Sequence, residues 1–157
     1  MRRAGDRAAL SVIRHFPEAL SRGVLVVAGP GNNGGDGWVV ASALVRAGYS
    51  VSVEAVAPTT PDAIAAKEAF GSAAPRLRTG GDRPGVVIDA VLGTGTAGPI
   101  RSTLEGLIKM VATAREQGGL VVALDVPSGL DASTGQADPR TVPADLTLSF
   151  GTFKRGQ

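Results

Sequence analysis

Short apolar runs recur along the chain, separated by longer segments in which apolar residues return every three or four positions. Runs at 24–28 (VLVVA), 51–57 (VSVEAVA), 86–92 (VVIDAVL), 120–126 (LVVALDV) and 146–150 (LTLSF) read as strands. Four of the five are near-continuously apolar rather than alternating, the pattern of strands buried on both faces of a parallel sheet. In the segment 101–119, Leu104, Leu107, Ile108 and Val111 share one helical stripe, with Ser102 or Thr103 placed to cap its start and Gly118 to end it. A second helix is predicted from Asp36 to a stop at Gly48. A third runs over 59–72, with Pro61 suited to its first turn, and an opening helix from Ala4 to Phe16 stops at Pro17. The order α, β, α, β, α, β, α, β, β predicts a doubly wound α/β fold: a three-layer αβα sandwich with a mainly parallel sheet and right-handed crossovers. No internal repeat is visible, and the stretches 79–85 and 131–145 read as loops, so one domain over 1–157 is expected.

Composition narrows the function classes. At 157 residues and 43% hydrophobic content the chain can bury one sizeable core. Sixteen basic residues against 14 acidic leave +2, and no basic stripe carries interleaved aromatics, so a nucleic-acid surface is not expected. With no cysteine, disulfides, thiolate metal sites and a cysteine nucleophile are excluded, in keeping with a reducing compartment. The arginines at the start precede no long apolar stretch, and nothing approaches transmembrane length. A cytoplasmic protein without membrane contact is the expectation.

In open parallel sheets, ligands bind beyond the carboxyl ends of the strands, where strand order reverses. The unusual residues fall there. The first strand runs into Asn32, Asn33 and Asp36 among glycines; the third carries Asp89 and then Gly93, Thr94 and Gly95; the fourth delivers Asp125 ahead of Pro127 and Ser128. Gly29, Gly31 and Gly34 form a literal GxGxxG, and Glu54 lies 20 residues beyond the last, where a dinucleotide-binding unit places its ribose acid. A dehydrogenase is therefore one reading. Against it, the glycines continue through Gly35, Asp36 and Gly37, which would delay the helix and set a carboxylate where pyrophosphate meets a helix N-terminus. Such a loop suits phosphate or ribose groups, or a cation held through oxygen. Asp89, within an apolar run, must pair, bind a cation or sit at the solvent edge. Ser128 has no histidine partner for hydrolase chemistry, since His15, the sole histidine, lies on the opening helix. Trp38 reads as a packing anchor and Lys154 as a solvated lysine just past the last strand.

The motifs GPGNNGGDG, DAVLGTG, ALDVPSGLDASTG and ADLTLSFGTFKRG, in this order and spacing, resemble the NAD(P)H-hydrate epimerase family, the YjeF N-terminal-type domain. The resemblance runs over essentially the whole chain and implies a Rossmann-like fold and an isomerase that interconverts the R and S forms of hydrated NADH or NADPH. It implies substrate contacts by Asn32, Asn33, Gly34, Gly35 and Asp36; phosphate held by the amides of Gly93, Thr94, Gly95, Thr96, Ala97, Gly98 and Pro99, with Arg101 nearby; and Asp125 facing the reacting ring as acid and base. It also implies a potassium ion (K+) on Asn33, Asp89 and Ser128, a homodimer, and a fused or separate dehydratase. Members usually carry a longer helical lead and at least one more strand and helix after the lysine, so the chain is expected to match their central part. Thr96 and Ala97 stand where members more often have an apolar and then a basic residue. A non-catalytic binding module on the same scaffold is the remaining alternative.

Overall fold

The structure, a computed structural model, describes residues 2–73, 83–95 and 98–150. Helices α1 (Arg2–His15), α2 (Asn32–Arg46), α3 (Pro61–Ala73) and α4 (Glu105–Glu116) alternate with strands β1 (Val24–Ala28), β2 (Val51–Ala55), β3 (Val86–Ala90), β4 (Leu120–Leu124) and β5 (Leu146–Leu148). The strands pair in parallel throughout, in the order β2-β1-β3-β4-β5. From β1 the chain steps out to β2 and then returns to β3 on the other side, so strand order reverses between β1 and β3.

The alternation of side chains along each strand divides the core in two. Val24, Val26 and Ala28 of β1, Val86, Ile88 and Ala90 of β3, and Val122 and Leu124 of β4 pack with α1, α2 and α3. Val27, Val87 and Val121 point the other way and meet Leu104, just ahead of α4, and Leu107, Ile108 and Val111 along it. Central strands sandwiched in this manner have no polar face, which is why β1, β3 and β4 read as continuous apolar runs. Each fully buried Val or Leu contributes about 1.5–3 kcal/mol relative to exposure.

The expected elements are present, with differences at their ends. Strands β2 to β5 stop two residues before the apolar runs do. Neither Ser102 nor Thr103 caps α4 through its side chain; residues Ser102–Leu104 instead form a 3-10 turn leading into it. The largest difference is at α2, which begins at Asn32 rather than Asp36. From Asn32 onward the glycine-rich stretch is therefore helix, not loop, and the helix start is not delayed. Apolar periodicity cannot reveal a helical turn built from Asn, Gly and Asp.

None of the glycines at 29, 31, 34, 35 and 37 adopts a positive φ. Three of them permit close approach instead. A Cβ on Gly34 would stand 1.9 Å from the Gly29 carbonyl oxygen, one on Gly29 would stand 1.9 Å from that of Val91, and one on Gly37 would stand 2.7 Å from the Ala90 Cβ. The first turn of α2 thus rests against the ends of β1 and β3. Gly106, in α4, has open space where its Cβ would be. Gly34→Ala should lower stability by about 1–3 kcal/mol through overpacking, whereas Gly106→Ala should raise it by about 0.5 kcal/mol through helix propensity; urea denaturation of the two variants checks both signs.

Candidate functional site

At the carboxyl end of the sheet lies a cavity of ≈ 640 Å³. The first turn of α2 contributes Asn32, Asn33 and Asp36, the segment after β3 contributes Leu92 to Gly95, and Asp125 enters from the end of β4. Gly98, Pro99 and Arg101 close a further side. The site therefore sits at the reversal between β1 and β3.

Leu92 joins the parts. Its carbonyl accepts from Asn33 Nδ2 at 2.8 Å, and its N–H donates to Ser128 Oγ at 2.8 Å. Ser128 in turn donates to Asp89, Oγ to Oδ1 at 2.5 Å and backbone N–H to Oδ2 at 2.9 Å, while the Val91 N–H reaches Oδ1 at 3.3 Å. One peptide segment thus ties α2 to the β4 loop through the Asp89 carboxylate. Asp89 is not at a solvent edge: its exposure is 1%, and no basic side chain pairs with it among the described residues. Burial raises its pKa, opposed by the hydrogen bonds from Ser128 and Val91.

Asp125 has a φ of +68°, the left-handed region that a non-glycine residue adopts at a cost, though Asp and Asn bear it best. The conformation is fixed from both sides. Its N–H donates to the Leu148 carbonyl at 2.9 Å, and its Oδ2 accepts from the Thr94 N–H at 3.2 Å and the Thr94 hydroxyl at 2.8 Å. A Cβ on Gly93 would lie 3.2 Å from the Asn33 Cβ and 3.4 Å from Asp125 Oδ2, so both side chains flank this glycine.

The structure brings together Asn32, Asn33, Asp36, Gly93, Thr94, Gly95, Gly98, Pro99, Arg101 and Asp125 around the cavity. Gly34 and Gly35 are buried beneath it in α2, and Asp89 and Ser128 lie beneath its floor as the knot just described. Thr96, Ala97 and Lys154 fall outside the described residues. Glu54 lines a different groove with Leu25, Ser52 and Lys109, away from this cavity, so it does not serve as a ribose acid here. His15 accompanies Phe16 and Pro17 in another shallow groove, and Trp38 packs on Phe70 with ring centroids 5.2 Å apart. Sequence reasoning missed Thr59 and Phe150 in the lining. Phe150 ends the last apolar run and was within reach of the strand-end argument. Thr59 gave no signal, because it reaches the rim through hydrogen bonds from its N–H and hydroxyl to the Pro30 carbonyl.

Fold and site together define a Rossmann-like α/β protein with a polar-lined cavity at the strand-order reversal. The chain belongs to the family described as YjeF-related protein N-terminus, whose model matches residues 1–156. It is 43% identical over 163 residues to the NAD(P)H-hydrate epimerase of Bordetella pertussis, covering 96% of this chain and 68% of that protein. It is 32% identical over 168 residues to the NAD(P)H-hydrate epimerase of Nitrosopumilus maritimus, covering 99% and 76%. The bifunctional NAD(P)H-hydrate repair enzyme Nnr of Escherichia coli matches at 35% identity over 99% of this chain, which spans 31% of that larger protein. Among solved structures, the crystal structure of yeast ynu0, YNL200c, superimposes with a TM-score of 0.83 at 25% identity, covering 98% of this chain and 70% of that one.

Asp36 is the titrating group on the cavity wall whose shift has a clear cause. Burial pushes its pKa up to about 6, with repulsion from Asp125 and Asp62 adding to the rise. Between the ordinary value of 3.8 and about 6, the unfolded chain has released this proton while the folded chain retains it. Stability must therefore fall as pH rises through that window. Urea midpoints of the wild type and Asp36→Asn at pH 4 and pH 7 test this: the wild type should lose ground against the variant at the higher pH. Asp89 is common to both proteins, so its own titration largely cancels in the comparison.

Proposed function

We propose that this protein epimerises hydrated NADH and NADPH, interconverting the R and S forms of the damaged cofactor as an isomerase of metabolite repair. The observation that carries the reading is the convergence of Asn33 and Asp125 on Gly93, within a rim cavity large enough for part of a dinucleotide, in a chain 43% identical to a named NAD(P)H-hydrate epimerase. The dehydrogenase alternative loses its ribose acid with Glu54 placed elsewhere.

In this reading the first turn of α2, Asn32 to Asp36, contacts the substrate, with the main-chain N–H groups at the start of the helix available to anionic groups. Phosphate lies along Gly93, Thr94, Gly95, Thr96, Ala97, Gly98 and Pro99, with Arg101 supplying positive charge. Asp125 faces the nicotinamide-derived ring. Its carboxyl group donates a proton to the hydroxyl on the carbon beside the ring nitrogen. The C–O bond breaks, water leaves, and the nitrogen lone pair forms the C=N bond of a planar iminium. Water then adds to the opposite face while the Asp125 carboxylate takes back a proton, so atoms and charge balance over the cycle. Thr94 holds the carboxylate in place from two donors.

The residues also fit a potassium ion. Asn33 Oδ1 is buried and has no hydrogen-bond partner among the described residues. A carboxylate offers about four acceptor sites and a hydroxyl two, so Asp89 and Ser128 each retain one beyond the bonds described. Asn33, Asp89 and Ser128 would hold the ion, an all-oxygen donor set suited to a hard cation. It would supply a fixed positive charge that offsets buried Asp89. The partners proposed are a second copy in a homodimer and a dehydratase, fused or separate, in the cytoplasm. Among the described residues no helix is long and apolar enough to cross a membrane.

Asp125→Asn keeps a side chain that tolerates positive φ, so the fold should survive while epimerisation falls about 100-fold or more, the lower end of what a lost general acid costs. Chromatographic exchange of the two epimers at the wild-type rate would remove Asp125 from this role. Potassium should raise the wild-type Tm above that in tetramethylammonium at equal ionic strength, and Asn33→Ala should abolish the difference. Identical melting in the two salts would remove the cation from the site.

A further inference from the structure

Gly98 and Pro99 form a wall between two hollows. The substrate cavity lies on one side, and a second cavity of ≈ 570 Å³, lined in part by Gly129, Asp138 and Arg140, lies on the other. This stretch therefore lacks continuous packing behind it. What fixes it is the side chain of the next residue, Ile100, buried in the core beside α4, together with polar bonds to the Ile100 main chain. Ile100 donates its N–H to Asp138 Oδ2 at 2.9 Å, and its carbonyl accepts from Arg140 Nη2 at 2.9 Å. Asp138 and Arg140 are themselves joined by a two-pronged bond, Nε to Oδ1 at 2.8 Å and Nη2 to Oδ2 at 2.7 Å, and Arg140 Nη1 also bonds Glu105 at the start of α4. The Asp138 side chain is 4% exposed. The Arg140 guanidinium and the Arg140 and Ile100 N–H groups hold its carboxyl well below the usual range, so the clamp stays charged at working pH.

We propose that the Asp138–Arg140 pair is a positioning device for substrate: by gripping both polar groups of the Ile100 main chain, it holds Gly98, Pro99 and Arg101 in the arrangement that receives the anionic part of the ligand. The proposal rests on the epimerase reading of the cavity. Neither residue touches that cavity, so the pair acts through the wall. Gly98, at φ +85°, and the hollow behind it leave this wall able to move once the clamp is released.

A pair of like chemistry elsewhere provides the control. Asp145 accepts from the Val121 N–H at 2.7 Å and from Arg115 at 2.8 Å, near the opposite end of the sheet from the cavity. Steady-state epimerisation of hydrated NADH is measured for the wild type, Asp138→Ala, Arg140→Ala, Arg140→Lys and Asp145→Ala, with Tm recorded for each. Asp138→Ala and Arg140→Ala should raise KM about tenfold with kcat within about twofold, the signature of lost ground-state binding. Arg140→Lys, which keeps charge but not the fork, should fold and fall between. Asp145→Ala should lower Tm with KM unchanged. An active wild type whose clamp variants lower Tm yet keep the wild-type KM would overturn the positioning role alone. Should Asp138→Ala and Arg140→Ala fail to fold, a wild-type KM in Arg140→Lys overturns it equally. A wild type that exchanges no epimers would overturn the epimerase reading and this role with it.

Discussion

The site depends on a steric permission. Helix α2 can seat its N-terminal end on the ends of β1 and β3 because Gly34 and Gly37 present no side chain toward Gly29 and Ala90, while Gly29 lets the end of β1 lie directly against Val91. Ala28 and Ala90, paired in register at the strand ends, keep the surface beneath equally low. That seating places Asn33 within hydrogen-bond reach of Leu92 and leaves its amide oxygen buried without a hydrogen-bond partner among the described residues. Packing supplies the geometry, and the polar residues exploit it.

A second layer of organisation follows from charge. Asp36, Asp89 and Asp125 gather at one end of the sheet; burial makes Asp89 reluctant to ionise, and burial with repulsion from Asp125 does the same for Asp36. The structure separates their circumstances. Asp89 is buried and wrapped by N–H and hydroxyl donors, Asp125 is held by Thr94 at a strained turn, and Asp36 sits half-buried on the helix with one oxygen unpaired among the described residues. Three copies of one side chain thus acquire different chemistries from their surroundings.

The layered fold was legible because burial on two faces leaves an unmistakable apolar signature, as in Val86 to Ala90. The location of the site was legible too, since Asp89, Asp125 and the Asn33 cluster all mark strand ends. Local forms were less so. The helical first turn at Asn32 to Gly35 looks like a loop in any periodicity argument, and the glycines suggest turn conformations when their actual use is proximity. Long-range effects left no trace at all. Nothing in the residue types announces that Asp138 would grip Ile100, or that Thr59 would fold back on Pro30, because such bonds are chosen by tertiary placement rather than by neighbours in the chain.

The turn at Asp125 carries a consequence for descent. Its left-handed backbone is comfortable for few residue types: aspartate, asparagine and glycine foremost. Asparagine and glycine are each one nucleotide from an aspartate codon. A lineage can therefore discard the carboxylate while keeping the backbone turn; under the role proposed for Asp125, a binding descendant without the chemistry stands a single mutational step from the parent.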